Sequence, residues 1–180
     1  DDDIIRFSTA TADGNLSFAN NRLEYTKTAT AGGTVTNQYL RWNSGNGTNP
    51  DPFSFSTSWV MTVDVTNLVT GNYLTSIGLQ VSNYNNDGYA SIYLAQMNGV
   101  SATDVYARGT GSNLTAVSSA TFTNNTDITL KLAWDAANQI LSSSYAIDGT
   151  TFTSVTTYPV NTWTTAPTDG FLVGIWAQSS

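Results

Sequence analysis

The chain has 180 residues, of which 40% are hydrophobic, contains neither Cys nor His, and carries a net charge of −7. The missing residue types exclude a thiolate metal site, a Cys nucleophile and a Ser-His-Asp triad. The acidic balance and the scatter of the six basic residues argue against a nucleic acid or an anionic membrane as partner. No stretch approaches the ~20 apolar residues of a membrane span, so we expect no membrane insertion.

Alternation of apolar and polar residues between turn clusters predicts strands along the whole chain. In chain order, the predicted strands are 4–8, 16–19, 22–28, 36–42, 59–65, 77–81, 90–97, 114–123, 127–134, 140–147, 151–155 and 171–177. Clusters of Asn, Asp and Gly separate them, and Asp148-Gly149 is a strong two-residue turn signal. No segment has a convincing helical period. The sequence therefore predicts an all-β protein, a two-sheet antiparallel β-sandwich (jelly roll) that forms one domain over residues 1–180.

The tryptophans are divided by the same alternation. Trp59, Trp134 and Trp176 fall on apolar faces of their strands, which predicts that they belong to the core. Trp163 lies in an irregular segment that includes Asn161 and Pro167, and we expect it to be exposed.

The segment 127–155 contains the runs Asp-Ile-Thr-Leu-Lys-Leu-Ala-Trp-Asp and Tyr-Ala-Ile-Asp-Gly-Thr-Thr-Phe. It resembles the late hairpin of the concanavalin A-like lectin/glucanase (laminin-G-like) jelly-roll superfamily, and 171–177 resembles the final core strand of that family. The resemblance implies a fold whose members bind sugars, adhere to surfaces or cleave glycans. The Glu-x-Asp-x-x-Glu strand of the family's glucanases is absent, because Glu24 is the only Glu in the chain. The alginate-lyase type of jelly roll uses a His, which is also absent.

One polar sheet face is the candidate ligand site. Sugar sites combine aromatic rings, which cover the apolar side of a pyranose, with amide, carboxylate and guanidinium groups for its hydroxyls. Alternation assigns to this face residues of both kinds, namely Tyr39, Arg41, Asp64, Gln80, Tyr93, Tyr106 and Arg108. A cross-strand pair between Asp64 and an arginine is the structural alternative for these charged residues, and a solvated sheet face is the alternative for Asp64 itself.

A second surface competes with this face. It consists of residues at turns and strand ends, namely Trp42, Tyr84, Asn85, Asn86, Asp87 and Tyr89. Trp42 borders a long polar loop and could serve as a stacking platform, although its spacing from Leu40 favours the core.

A structural calcium ion is the expected cofactor, because Ca²⁺ prefers the oxygen ligands that Asp, Asn and loop carbonyls supply and because jelly rolls of this resemblance often carry one. Asp51, Asp87 and Asp169 are the candidate ligands. A solvated turn is the alternative for each of them, since no Asp-x-Asp-x-Asp-Gly loop is present.

The combined pattern predicts a non-catalytic, lectin-like carbohydrate-binding module of an exported or surface protein. We expect its partner to be a glycan or polysaccharide, with further domains of a larger chain beside it, and an extracellular or cell-surface location. Two alternatives remain: a structural or adhesive module without a small ligand, and a polysaccharide-active hydrolase or lyase.

Overall fold

The computed structural model describes the backbone of residues 5–8, 14–19, 22–27, 36–42, 53–66, 75–83, 88–96, 103–110, 115–122, 127–163 and 170–179. Side chains are described for residues 53–66, 76–83, 88–95, 104–110, 122, 127–163 and 170–175. This part of the chain consists almost entirely of strands, and it contains no helix that is long and apolar enough to cross a membrane.

Strands form at each of the predicted positions, and one further strand, Thr103–Gly109, is present. They are β1 (Ile5–Ser8), β2 (Gly14–Ala19), β3 (Arg22–Lys27), β4 (Thr36–Trp42), β5 (Trp59–Thr66), β6 (Thr75–Ser82), β7 (Tyr89–Gln96), β8 (Thr103–Gly109), β9 (Thr115–Phe122), β10 (Asp127–Asp135), β11 (Ile140–Ala146), β12 (Thr153–Pro159) and β13 (Leu172–Ser179). A short 3₁₀ turn, Val160–Thr162, follows β12. Strand β8 is missing from the predicted strands, although alternation had assigned its residues Tyr106 and Arg108 to a polar sheet face.

Two antiparallel sheets pack against each other. The larger has seven strands in the order β1-β4-β13-β6-β7-β8-β9, and the smaller has four in the order β12-β11-β10-β5. Strands β2 and β3 form a separate two-stranded ribbon. The predicted two-sheet antiparallel sandwich is therefore confirmed. Strand β13 lies inside the larger sheet, paired with β4 on one edge and with β6 on the other.

The core is built from the inward-facing residues of both sheets. On the smaller sheet, β10 has the strict alternation that its sequence predicts, and Leu130 and Leu132 are fully buried. Leu79 of β6 and Ile92 of β7, also fully buried, belong to the same core cluster on the larger sheet. Burial of such a side chain contributes about 1.5–3 kcal/mol, so these rows hold the two sheets together.

An aromatic cluster occupies one end of the core. Phe171, just before β13, packs edge-on against Trp134, Trp59 and Trp163, with ring centroids 4.9, 5.5 and 6.2 Å away. The indole N–H of Trp134 donates to the carbonyl of Phe55 at 3.0 Å, which ties the segment before β5 to β10. The cluster joins segments that are far apart in sequence.

Trp163 corrects one prediction. It is only 5% exposed, and its ring packs against Gly88, where a Cβ atom would overlap it. The expectation of an exposed Trp163 is therefore wrong. The space for its ring exists because Gly88 has no side chain, and the polar residues near Trp163 in the sequence give no sign of this.

Aspartates in the predicted turns stabilise the hairpins of the smaller sheet. Asp135 accepts hydrogen bonds from the backbone N–H groups of Ala137 and Asn138 at 3.0 and 3.2 Å, and this caps the β10–β11 turn. Asp148 accepts from the N–H groups of Thr150 and Thr151 in the same way after β11. Both carboxylates therefore have structural roles that their turn positions predict.

Candidate functional site

Two neighbouring register rows cross the face of the larger sheet that points away from the core. The first, called the arginine row, consists of Arg6, Arg41, Gly174, Gln80, Ser91 and Arg108 in spatial order. The second, called the tyrosine row, lies two residues away on each strand, later in the sequence on some strands and earlier on the antiparallel ones. It consists of Ser8, Tyr39, Trp176, Gly78, Tyr93 and Tyr106. Residues two apart in a strand share a face, so the two rows form one surface.

The opposite face of the same strands is apolar, which fixes the orientation of the rows. Leu79, Ile92 and Ala107 alternate with row residues and are fully buried in the core. Sequence alternation in β6, β7 and β8 therefore aims the rows away from the core. Arg108 is exposed, and Gln80 and Tyr93 are half-buried.

Tyr93 and Tyr106 form the aromatic centre of the surface. They are register partners on β7 and β8, and their rings stack with centroids 5.8 Å apart and planes inclined by 19°. Tyr106 is only 8% exposed, so it offers little surface of its own. Its ring supports that of Tyr93, which is half-buried.

Both phenols are protonated near neutral pH, since a tyrosine pKa is ordinarily near 10 and the surroundings raise it further. Burial raises the pKa of Tyr93, against the opposing effect of the Arg108 guanidinium. Burial also raises the pKa of Tyr106, and the neighbouring Asp104 carboxylate raises it further through its charge and a hydrogen bond. Protonated phenols can both donate and accept hydrogen bonds, as sugar hydroxyls require.

Gly78 provides the space that Tyr93 occupies. A Cβ atom at Gly78 would overlap the carbonyl of Ile92 and would lie 2.5 Å from the Cα and Cβ atoms of Tyr93. The missing side chain lets β7 and the base of Tyr93 approach β6 closely. Gly78 therefore helps to position Tyr93, a role that the sequence did not reveal.

Ser91 anchors the arginine row to the core below it. Its hydroxyl donates to the carbonyl of Arg108 at 3.1 Å, and its own carbonyl accepts the buried hydroxyl of Tyr158 at 3.0 Å. Tyr158 belongs to β12 of the smaller sheet, so this hydrogen bond crosses the sandwich. Ser91 was missed by sequence analysis, although its place between Tyr89 and Tyr93 in the alternation of β7 was a usable signal.

Six of the seven predicted ligand-binding residues fall in the two rows. Tyr39, Arg41, Gln80, Tyr93, Tyr106 and Arg108 lie there by register, and the side chains of Tyr39 and Arg41 are outside the described residues. Register therefore brings these six residues to two neighbouring rows, and a binding role for them stays a prediction.

Asp64 does not share this surface, and that part of the prediction is wrong. It lies on β5 of the smaller sheet, on the outer face, where its carboxylate accepts a hydrogen bond from the Thr129 hydroxyl at 2.6 Å. Alternation assigns a residue to one side of its strand but does not say to which sheet the strand belongs. The cross-strand partner of Asp64 is thus a threonine, and the structural alternative of a pair with an arginine does not hold for it.

Trp176 was predicted to belong to the core, and its side chain lies outside the described residues, so this stays a prediction. Its Cα partners are Tyr39 and Gly78, which is a register position of the tyrosine row. Strand β13 is apolar in sequence on both faces, so its alternation could not distinguish the two sides.

The competing surface and the candidate metal ligands are only partly described. Residues 84–87 lie outside the described part of the chain, and so do Asp51, Asp87 and Asp169. Tyr89 is half-buried and lies one row beyond the arginine row on the same face. Among the described residues, no three acidic, His or Cys side chains come together as a metal site would require.

The fold of this chain has a counterpart among solved structures. The structure of the CBM2 module of the evolved Dit protein of Lactobacillus casei BL23 phage J-1 superposes with a TM-score of 0.61, over 93% of this chain and 71% of that one. The two chains share a fold. At 8% sequence identity the likeness extends to the fold alone.

The other comparisons add nothing to this. A functionally unknown protein from Saccharomyces cerevisiae, 14% identical, matches over 82% of this chain and 88% of its own with a TM-score of 0.36, too low to support an argument. No family model matches the sequence, and no curated protein does.

Proposed function

We propose that the protein is a non-catalytic carbohydrate-binding module whose glycan lies along the arginine and tyrosine rows. The observation that carries this proposal is the pairing of the two rows on one sheet face, which puts an aromatic surface beside hydrogen-bonding side chains. A sheet face of this kind can contact several sugar rings at once, because strands repeat about every 4.8 Å.

Each row has a distinct task in the proposed complex. The half-buried ring of Tyr93 stacks on the apolar side of a sugar ring, and its low side-chain entropy makes such a contact effective. Gln80 and Arg108 then bond to hydroxyl oxygens beside the stacked ring and fix its orientation. The stack between Tyr93 and Tyr106 prepares the platform before the ligand arrives.

The shared fold supports the proposal without deciding it. The abbreviation CBM in the name of the phage structure denotes a carbohydrate-binding module, and that description belongs to the phage protein. Membership of the concanavalin A-like superfamily is part of the same proposal. So are a single domain over residues 1–180, an extracellular or cell-surface location and attachment to further domains.

Calcium is a separate part of the proposal. Asp51, Asp87 and Asp169 are its candidate ligands, and Ca²⁺ there stabilises loops rather than the described rows. Chelation should therefore lower thermal stability more than it lowers affinity for a glycan. Loss of all binding on chelation, with the melting temperature unchanged, would instead place the metal in the ligand site.

A glycan array with and without calcium tests the function. We expect binding that falls roughly tenfold in Tyr93→Ala and in Arg108→Ala, which corresponds to the loss of about 1.4 kcal/mol. Lys131→Ala is the matched control, because Lys131 lies on the opposite sheet, 3.8 Å above the ring of Phe152. Thermal melting of each variant verifies folding.

Each negative result favours a definite alternative. No binding to any glycan in either condition makes a structural or adhesive module the better description. Release of shorter sugars from a bound polysaccharide, measured as new reducing ends or unsaturated products, makes the protein an enzyme.

A further inference from the structure

The arginines of this chain are concentrated in one register row. The sequence contains four, and three of them, Arg6, Arg41 and Arg108, belong to the arginine row. The fourth, Arg22, lies on β3 in the two-stranded ribbon. In a chain with a net charge of −7, this row is a local exception to the overall sign.

Two members of the row are direct register partners, Arg6 on β1 and Arg41 on β4. Register therefore places two arginines at adjacent positions at one end of the row, with Gly174 of β13 as the next member.

The register positions of the row between Arg41 and Arg108 hold no acidic residue. Gly174, Gln80 and Ser91 separate Arg41 from Arg108, and none of them is charged. Four strand spacings span this interval, which is about 19 Å and long enough for several sugar rings. A linear glycan along the row therefore meets positive charge at both ends.

The nearest acidic residue described on this face lies away from the row. Asp104 is four residues before Arg108 on β8, so it is two rows away, about 14 Å along the strand, with the tyrosine row between them. On this face the arginine row therefore carries the positive charges, and the Asp104 carboxylate carries a negative charge on the far side of the tyrosine row. This asymmetry orients a ligand that has its charges along one edge.

Arg108 is the best described member of the row. Its side chain is exposed, and no carboxylate among the described residues pairs with it. The Ser91 hydroxyl holds its carbonyl, which fixes the backbone from which the guanidinium extends. The planar guanidinium matches the two oxygens of a carboxylate better than it matches a single hydroxyl.

We propose that the arginine row selects glycans that carry carboxylate groups, of the uronic-acid polymer class, while the tyrosine row stacks their rings. This inference rests on the proposed function, since it names the class of ligand for the same surface. It predicts that neutralising the ligand's carboxylates weakens binding even when the sugar rings are unchanged.

Matched pairs of ligands test the inference by calorimetry on the full chain. The probes are oligosaccharides of galacturonate, mannuronate and hyaluronan, each beside its fully methyl-esterified, uncharged form. We expect at least one acid form to bind about tenfold or more tightly than its ester, as charge-assisted hydrogen bonds predict. We also expect this preference to shrink as salt is raised from 20 to 500 mM.

Variants assign the preference to the row. Arg108→Gln and Arg41→Gln should each weaken binding of the acid form about tenfold and leave the ester within about twofold. Arg22→Gln changes the net charge by the same amount outside the row and should match the unmodified protein. Equal losses in all three variants would mean a general charge effect and would overturn the inference.

Two outcomes separate this inference from the proposed function. If esters or a neutral glycan panel bind as tightly as every acid form, glycan binding stands and selection by charge is overturned. If neither the acid forms nor the neutral panel binds, both are overturned.

Discussion

Tyr158 is fully buried, and its hydroxyl crosses the core to donate to the Ser91 carbonyl. The ring packs where Gly109 has no side chain, since a Cβ atom there would lie 2.5 Å from the ring. Burial raises the pKa of Tyr158 to about 12, because the phenolate would lose its hydration. The unfolded chain has a Tyr pKa near 10, so Tyr158 stabilises the fold fully below pH 10 and loses this contribution between about pH 10 and 12.

Tyr158→Phe tests this linkage. At pH 8 the variant should be less stable by about 1–2 kcal/mol, because the Ser91 carbonyl loses its partner. At pH 11 the unmodified protein has lost about 1.4 kcal/mol through the raised pKa, so the two unfolding free energies should be nearly equal. Urea titrations at pH 8, 9, 10 and 11 measure the difference. Parallel loss of stability in both proteins would contradict the assignment.

Gly78 leads to a second prediction at the residue scale. Gly78→Ala introduces a Cβ atom into the space beside Tyr93, so β6 and β7 must separate locally. We expect a loss of about 1–3 kcal/mol in unfolding free energy, as for other overpacked sites. Glycan affinity should fall with it, since Tyr93 moves.

Gly149→Ala is the control for that change. Its backbone has a φ of 72°, so alanine is strained there by about 1–2 kcal/mol, but the nearest side-chain atom is 3.9 Å from the new Cβ. Stability should fall in both variants, whereas glycan binding should fall only in Gly78→Ala. Equal affinity in both would show that Gly78 does not position the site.

At the scale of whole elements, Phe171 links four segments through its aromatic neighbours. Phe171→Ala removes a ring that is 3% exposed and should cost about 3–5 kcal/mol. The half-buried Phe152, which lies under Lys131 on the outer face, is the comparison, and its replacement by alanine should cost clearly less. Urea unfolding followed by tryptophan fluorescence measures both. Similar losses of unfolding free energy in the two variants would mean that the aromatic cluster makes no special contribution to the stability of the core.

The strands were largely predictable because a single sequence signal, the alternation of apolar and polar residues, identifies them. In β5 and β10, alternation identified both the strand and its buried side, because every second residue points inward, as Leu130 and Leu132 do in β10. Sheet membership was not predictable, because it depends on pairing between distant strands. Asp64 and Arg108 look alike in their local patterns, yet they belong to different sheets.

The positions of the candidate residues in the larger sheet were predictable to a similar degree and for the same reason, whereas their role stays a prediction. Tyr93, Tyr106 and Arg108 are large polar residues on alternating strands, which is a local signal. Gly78 and Ser91 are small, and their importance comes from what packs beside them across the sheet. No local pattern carries that information.

At the scale of the whole molecule, the larger sheet depends on its last strand. Because β13 pairs with both β4 and β6, the sheet forms only when strands that are far apart in the sequence meet, as in the pairs Gly174–Arg41 and Leu172–Ser82. Such pairings are typical of proteins that fold in milliseconds to seconds rather than microseconds.

Removing the central strand β13, or the edge strand β1 as a comparison, tests this dependence. A chain that ends at residue 170 lacks β13 and should not fold, with no near-ultraviolet circular dichroism and strong binding of a hydrophobic dye. A chain that begins at residue 9 lacks only the edge strand β1 and should fold with reduced stability. A cooperative thermal transition in the first protein would contradict the central role of β13.

The position of β13 also has a mechanical consequence. Its ladders run from Leu172 to Ser179 on one edge and from Gly174 to Ser179 on the other. A force applied at Ser179 along the strand must shear both ladders together, whereas a force applied at Ile5 meets, among the described residues, only the ladder that joins β1 to β4. The module therefore resists tension well when it is pulled from its carboxyl side and yields first at its amino side.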